Sequence, residues 1–230
     1  MEQGDRQRRT KNLTPSPRAG KRKTLMLTIG VTGGIGCGKS AVIQILGEFG
    51  ATIIDADKVA HSVYEPGGPA YDAVLRAFGE GILAPDRKID RGKLGPIVFA
   101  DPAGLNRLTD IVWPHTFDRM RTMVSEMRAR GDRKPIVIEA AVLIEANWQP
   151  LFDEIWLVTA QRERVIERVA LQRGMKPEQT EARIRAQLTD DERRRHASLV
   201  IENSGTLEEL RTKLTTLWAG ALSRNGTSKP

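Results

Sequence analysis

Residues 27–46 read LTIGVTGGIGCGKSAVIQIL: a mostly apolar run, a turn dense in glycine that carries one lysine, and an apolar segment at helical spacing. Gly33, Gly38, Lys39 and Ser40 fill the four fixed places of G-x-x-x-x-G-K-[ST], and the pattern sits where it must, between a strand-like and a helix-like segment. Glycines let the backbone turn sharply and aim successive N–H groups inward, and the helix that follows adds the positive end of its dipole. In such a turn Lys39 reaches the β- and γ-phosphates and the Ser40 hydroxyl ligates Mg²⁺. The stretch therefore implies a nucleoside triphosphate and leaves the phosphate acceptor open.

The rest of the chain alternates short apolar runs with helical patterns. Strands are expected at Leu27–Val31, Thr52–Ile54, Ile136–Ile138, Ile155–Val158 and Leu199–Ile201. Between them lie helical segments over Lys39–Phe49, up to His61–Tyr64, Ala70–Phe78, Gly92–Phe99, a long one from Pro102 to about Arg130 that Pro114 should interrupt, Glu163–Arg173, Thr180–Arg195 and Leu207–Leu222. Asp90 and Asp101 stand where N-caps belong, and residues 79–91 read as loop. Short, continuously apolar strands alternating with helices predict an α/β fold, a parallel sheet covered by helices on both faces.

With 230 residues and 40% hydrophobic content, the chain can bury one sizeable domain, with at most a small attached lobe. No apolar run reaches the length needed to cross a bilayer, the N-terminus lacks the apolar core of a signal peptide, and Cys37 is the single cysteine. The expectation is a cytoplasmic protein without disulfides, a monomer or weak homo-oligomer. The net charge of +7 suggests a polyanion partner until it is located. Eight Lys and Arg against two acidic residues put +6 of it in residues 1–25, so the remainder is nearly neutral. That basic stretch is expected to be a disordered tail, with Met26 an alternative start, residues 223–230 a flexible end, and neither nucleic acid nor membrane a partner of the folded part.

An acceptor hydroxyl needs a carboxylate nearby to take its proton. Asp55 and Asp57, at the carboxyl end of the second strand, lie where open parallel sheets bind ligands. Only one of them can face the turn if the segment stays extended, and Asp57 has an alternative role as N-cap of the next helix. The chain lacks a guanine-reading Asn/Thr-Lys-x-Asp segment, which disfavours a GTPase. Its arginine-rich stretch over 173–195 suits a mobile flap that screens charge on a transferred phosphoryl group, although most of those arginines would serve equally well on a solvated helix face. Another small-molecule kinase on the same fold, or a nucleotide-dependent binding protein, would share these features.

The segments TGGIGCGKS, IDADKVAHSVYEPGGPAYDAVLRAFG, GILAPDRKIDRGKLGPIVFADP, IEAAVLIEANW and VIENSG, in this order, resemble the dephospho-CoA kinase family over about residues 27–218. The resemblance implies a P-loop kinase core, a helical substrate-binding region and a lid over about residues 173–196, all within residues 26–222. It implies ATP-dependent phosphorylation of the ribose 3′-hydroxyl of dephospho-CoA, with ATP and Mg²⁺ as cofactors. Carried over by position, it puts Gly34, Ile35, Gly36, Cys37, Gly38, Lys39, Ser40 and Ala41 at the ATP phosphates and Asp57 at the base. Arg173, Arg183 and Gln187 fall in the lid, Asn203 and Gly205 near the adenine, and Glu139 and Glu145 on the acceptor side. The chain departs from the family pattern at His61 (often arginine), Trp113 (often the histidine of a His-Pro pair), Ala41 (usually threonine) and Glu139 (frequently aspartate).

Overall fold

The computed structural model describes residues 26–226, so the basic stretch 1–25 and the last four residues lie outside it. Five strands form one wholly parallel sheet: β1 (Thr28–Thr32), β2 (Thr52–Asp55), β3 (Ile136–Glu139), β4 (Glu154–Thr159) and β5 (Leu199–Glu202), in the order β2-β3-β1-β4-β5. The expected strands are all present, with ends that differ by a residue or so. β1 is buried along its whole length because neighbours pair with both of its edges and helices cover both of its faces.

On one face α1 (Lys39–Glu48) and α9 (Leu207–Arg224) pack through Val42, Leu46, Leu210, Leu214 and Trp218 onto Trp156 and Val158. Trp156 and Trp218 meet edge to face, their centroids 6.3 Å apart, a favoured aromatic geometry. The other face is covered by α2 (Ala56–Ser62) and α5 (Pro102–Ala129), with Met120 and Val124 set against Ile136, Ile138 and Leu143. A separate apolar cluster of Val63, Val74, Ile82, Leu94, Val98 and Val112 joins α3 (Tyr71–Phe78) and α4 (Arg91–Ala100) to α5, making a helical lobe beside the sheet. The remaining helices are α6 (Arg162–Arg173), α7 (Pro177–Arg185) and α8 (Asp190–Arg194). Among the described residues, no helix is long and apolar enough to cross a membrane.

Three local readings need correction. Pro114 does not interrupt α5, which runs unbroken for 28 residues. Pro114 lacks an N–H, and Asp110, whose carbonyl would have accepted it, is exposed, so solvent can serve that oxygen. Val112, Thr116 and Met120 stay packed on the buried side, where the Thr116 hydroxyl donates to the Val112 carbonyl at 2.8 Å. The stretch expected as one helix over Thr180–Arg195 is two, broken at residues 186–189. Thr189 caps the second through a reciprocal box in which Glu192 N–H donates to Thr189 Oγ1 and Thr189 N–H donates to Glu192 Oε2. The last helix continues to Arg224 instead of stopping at Leu222. Asp90 and Asp101 do cap α4 and α5, each accepting backbone N–H bonds of 2.8–3.1 Å.

The buried carboxylate of Glu154 ties α9 to β4. It accepts from Trp156 Nε1 at 2.9 Å, from Arg224 at 3.0 Å and from Asn225 at 3.2 Å. Because all three donors lose this acceptor at once, and only Asn225 keeps another, the Ala221 carbonyl, Glu154→Ala should lower the unfolding free energy by about 2 kcal/mol. Arg224→Ala removes a half-exposed partner and should cost less than about 1 kcal/mol. Urea denaturation of both variants reads the order, and a larger loss for Arg224→Ala would contradict this account.

Candidate active site

The turn between β1 and α1 lies at the centre of the sheet's carboxyl edge, at the point where the chain runs to β3 and β2 on one side and to β4 on the other. In open parallel sheets that crevice holds ligands. Its shape depends on missing side chains. Gly36 has φ 69°, and a Cβ there would press on Val165 and Val169 of α6 at 2.9 and 2.7 Å. Gly38 has φ 91°, and a Cβ there would run into the carboxamide of Asn203. Asn203 is buried and fastens the turn: its Nδ2 donates to the Cys37 carbonyl at 2.9 Å while its backbone N–H donates to Thr159. Lys39 spans the turn from the inside, donating to the carbonyls of Gly33 (2.8 Å) and Gly34 (3.0 Å).

A cleft of about 990 Å³ opens over this turn. Gly36, Gly38, Lys39, Ser40 and Ala41 form its floor, with the first N–H groups of α1 among them. Asp57, in the first turn of α2, and Glu139, at the end of β3, form one wall. Arg173, Arg183 and Gln187 come from α6, α7 and the link after α7, and Asn203 and Gly205 stand at the far end. Ile35 also borders the cleft, whereas Gly34 and Cys37 do not and line a second hollow of about 480 Å³ behind the turn. Cys37 Sγ is turned into the core, and burial raises its thiol pKa above the ordinary value, so it stays protonated.

Asp55, not Asp57, caps α2. Its Oδ1 accepts from Lys58 N–H at 3.1 Å, and its other oxygen lies 3.5 Å from Lys58 Nζ. This assignment frees Asp57 in the first turn of α2, exposed and without a hydrogen bond or ion pair to any described residue. Glu139 is half-buried, and desolvation raises its carboxyl pKa. The Lys39 charge opposes that rise, while Asp55 and Asp57 add to it. Glu145 is drawn the other way, into a contact with Arg193 at 3.3 Å.

Arg168, Arg193, Phe99 and Leu105 carried no clear signal in the sequence. Arg168 of α6 lies beside Gly38, and its Nη1 is buried with no partner among the described residues. Its spacing does offer a clue, since Val165, Arg168 and Val169 share one helix face, and the two valines are buried against the turn. Gln187 Oε1 accepts the Ile35 N–H at 2.9 Å, so the α7–α8 link rests on the phosphate-binding turn. Arg193 is only 2% exposed and donates to the Leu188 carbonyl at 2.6 Å, holding the same link from below. Phe99 and Leu105 extend the cleft with apolar surface, and Phe99 is 79% exposed. Trp113 faces away from the cleft and packs edge to face on Trp148.

A turn of N–H groups, a lysine, unpaired carboxylates across the cleft and arginines along its rim together suit phosphoryl transfer from a nucleoside triphosphate to a hydroxyl. Comparison with known proteins agrees. The model of the family described as dephospho-CoA kinase matches residues 27–209. A dephospho-CoA kinase of Geobacter sulfurreducens is 41% identical over 195 residues, covering 84% of this chain and 98% of that protein. One of Thermobifida fusca is 40% identical over 193 residues, covering 84% and 95%. Among solved structures, TT1252 from Thermus thermophilus aligns with a TM-score of 0.69 at 32% identity, covering 85% of this chain and 97% of that one. The dephospho-CoA kinase of Campylobacter jejuni, at 22% identity and a TM-score of 0.64 over 86% and 98% of the two chains, has the same fold. The chain belongs to the dephospho-CoA kinase family.

Proposed function

We propose that this protein transfers the γ-phosphoryl group of ATP to the ribose 3′-hydroxyl of dephospho-CoA, releasing CoA and ADP. Beside the family membership, the observation that carries this reading is Asp57: a carboxylate in the first turn of α2, unpaired among the described residues, that lines the same cleft as the phosphate-binding turn. The 3′-oxygen attacks the γ-phosphorus, the bond from that phosphorus to the β,γ-bridging oxygen breaks, and the hydroxyl proton passes to Asp57. ADP departs with the bridging oxygen. Asp57 orients the hydroxyl as well as deprotonating it, and holding the two reactants in line supplies much of the rate.

Lys39 would exchange its two carbonyl contacts for phosphate oxygens, and the first N–H groups of α1 would receive the remaining charge. Arg168, with its unpartnered buried Nη1, would reach the phosphates from α6. Among the described residues, no group of three or more His, Cys, Asp or Glu side chains could hold a metal. This donor set suits Mg²⁺, which keeps its waters and is held largely by substrate phosphates. Ser40 and, through water, Glu139 would hold it, and once bound it would neutralise charge on the β- and γ-oxygens. α7 and α8 would act as the lid, with the Gln187 contact to Ile35 yielding as ATP enters, so that Arg183 closes over the phosphates and water is excluded. Every group in this scheme comes from one chain, so a monomer suffices.

Coupled ADP-release assays with Mg-ATP and dephospho-CoA, adenosine, shikimate or AMP should show turnover selective for dephospho-CoA. Asp57→Asn should lower kcat by about 10²- to 10³-fold with little change in the KM for ATP. A preference for another acceptor would overturn the substrate assignment, and an unimpaired Asp57→Asn would remove the base. Arg168→Ala should raise the KM for ATP by about tenfold and leave the KM for dephospho-CoA nearly unchanged. The reverse pattern would place Arg168 on the acceptor side.

A further inference from the structure

Arg193 and Glu145 take no part in the phosphoryl-transfer scheme, yet each buries one polar atom that nothing serves. Arg193 of α8 is 2% exposed. Its Nη1 donates to the Leu188 carbonyl at 2.6 Å, and its Nη2 donates to Glu145 Oε1 at 3.3 Å, long for a charged pair. Arg193 Nε and Glu145 Oε2 are buried without a partner among the described residues. In the side-on form of an arginine–carboxylate pair, Nε and Nη2 donate in parallel to the two carboxylate oxygens. The atoms left over are the second donor and the second acceptor of that form, so the pair is half made. Unmet buried groups are costly, and one small displacement would serve both.

The two partners belong to different halves of the site. Leu188 and Asp190, the latter 3.8 Å from Nη1, lie on the same segment as Arg193 and travel with it. Glu145 stays with the sheet. It sits in the turn after β3, where Trp148 N–H donates to the Leu143 carbonyl at 3.0 Å and Leu143 and Ile144 are buried with Ile136 and Ile138. Ala141, near the start of the same turn, lines the cleft. Among the described residues, the hydrogen bonds and ion pairs of residues 186–194 reach a distant part of the chain at two points, Gln187 to Ile35 and Arg193 to Glu145. Both lie against the phosphate-binding turn: a Cβ at Gly34 would stand 3.5 Å from Gln187 Oε1 and 3.6 Å from Arg193 Nη1. If entry of ATP breaks the first point, the second is the one able to strengthen.

On the reading that α7 and α8 close over ATP, we infer that Arg193 and Glu145 are positioning residues whose bidentate pair is completed by closure and then holds Arg183 over the phosphates. Once the triphosphate has released Gln187 from Ile35, the 186–194 segment would otherwise be tied to the rigid half by apolar contacts such as that of Leu188. The second arginine–carboxylate bond replaces the bond that was lost. It exists in the closed state only, so it favours closure without stiffening the open protein.

The test is amide hydrogen exchange over residues 177–194 of the whole chain, free and with Mg²⁺ and a non-hydrolysable ATP analogue. In the wild type the analogue should slow exchange there. Glu145→Gln puts an amide nitrogen where one acceptor oxygen stands, and Arg193→Lys keeps the charge at a single point, so neither can form the two-point pair. Each should cut the slowing caused by the analogue by about tenfold and change exchange in the free protein by less than about threefold. The double variant should lose no more than either single one, because one shared bond is removed. An equal loss with and without the analogue would make the pair a static brace and overturn the inference. So would full slowing in both variants, additive losses in the double variant, or no slowing in the wild type. The exchange measurement contains no acceptor, so absence of dephospho-CoA turnover by the wild type would sink the proposed substrate and leave this test standing.

Discussion

Burying a parallel strand on both faces and both edges leaves its carboxyl end as the one place where it can offer polar groups. β1 is in that position, paired with β3 on one side and β4 on the other. The turn that leaves it must satisfy its own amides and carbonyls in a crowded space. Glycines admit the backbone where Val165, Val169 and Asn203 leave no room for a side chain, and Lys39 and Asn203 serve carbonyls that would otherwise be unpaired. The same crowding fixes where α1 starts, and hence where its N–H groups converge. The positions of Asp57, Glu139 and Arg168 follow, because each leaves the sheet or packs on it beside that turn.

The site divides into a rigid half and a half held by few bonds. The rigid half is sheet, turn and α1, fixed by core packing and by the Asn203 contact. The other half is the α7–α8 segment, attached to the turn by one Gln187 side-chain bond and braced by Arg193. Arg193 is costly to bury. Its guanidinium meets Glu145 at 3.3 Å and the Leu188 carbonyl at 2.6 Å, while Nε and one Glu145 oxygen have no partner among the described residues. A buried pair with unmet bonds adds little stability and does specify geometry, which suits a brace under a segment whose other contacts are few.

Much of this could be read from the sequence. The order of strands and helices, the phosphate-binding turn and the caps at Asp90 and Asp101 rest on short-range patterns, and those patterns were sufficient. Asp57 lies two residues past the end of β2, in the first turn of α2, and which of Asp55 and Asp57 serves as the cap could not be settled without knowing where α2 begins. Pro114 misled because proline's cost depends on whether the freed carbonyl reaches solvent, which is a tertiary fact. The break at residues 186–189 was legible in the Thr-x-x-Glu pattern of its capping box and was hidden by the helical spacing around it. Arg168 and Arg193 could not be told from surface arginines by composition, because burial depends on what the rest of the fold lays over them.

Cys37, the chain's single thiol, sits under the phosphate-binding turn with its sulfur in the core. A buried, protonated thiol does not react with electrophiles until the backbone above it lifts. Its rate of alkylation therefore reports the opening of this turn together with the α7–α8 link that walls the same hollow. The protein thus carries its own reporter for local unfolding at the point where the triphosphate would be held, with no label introduced.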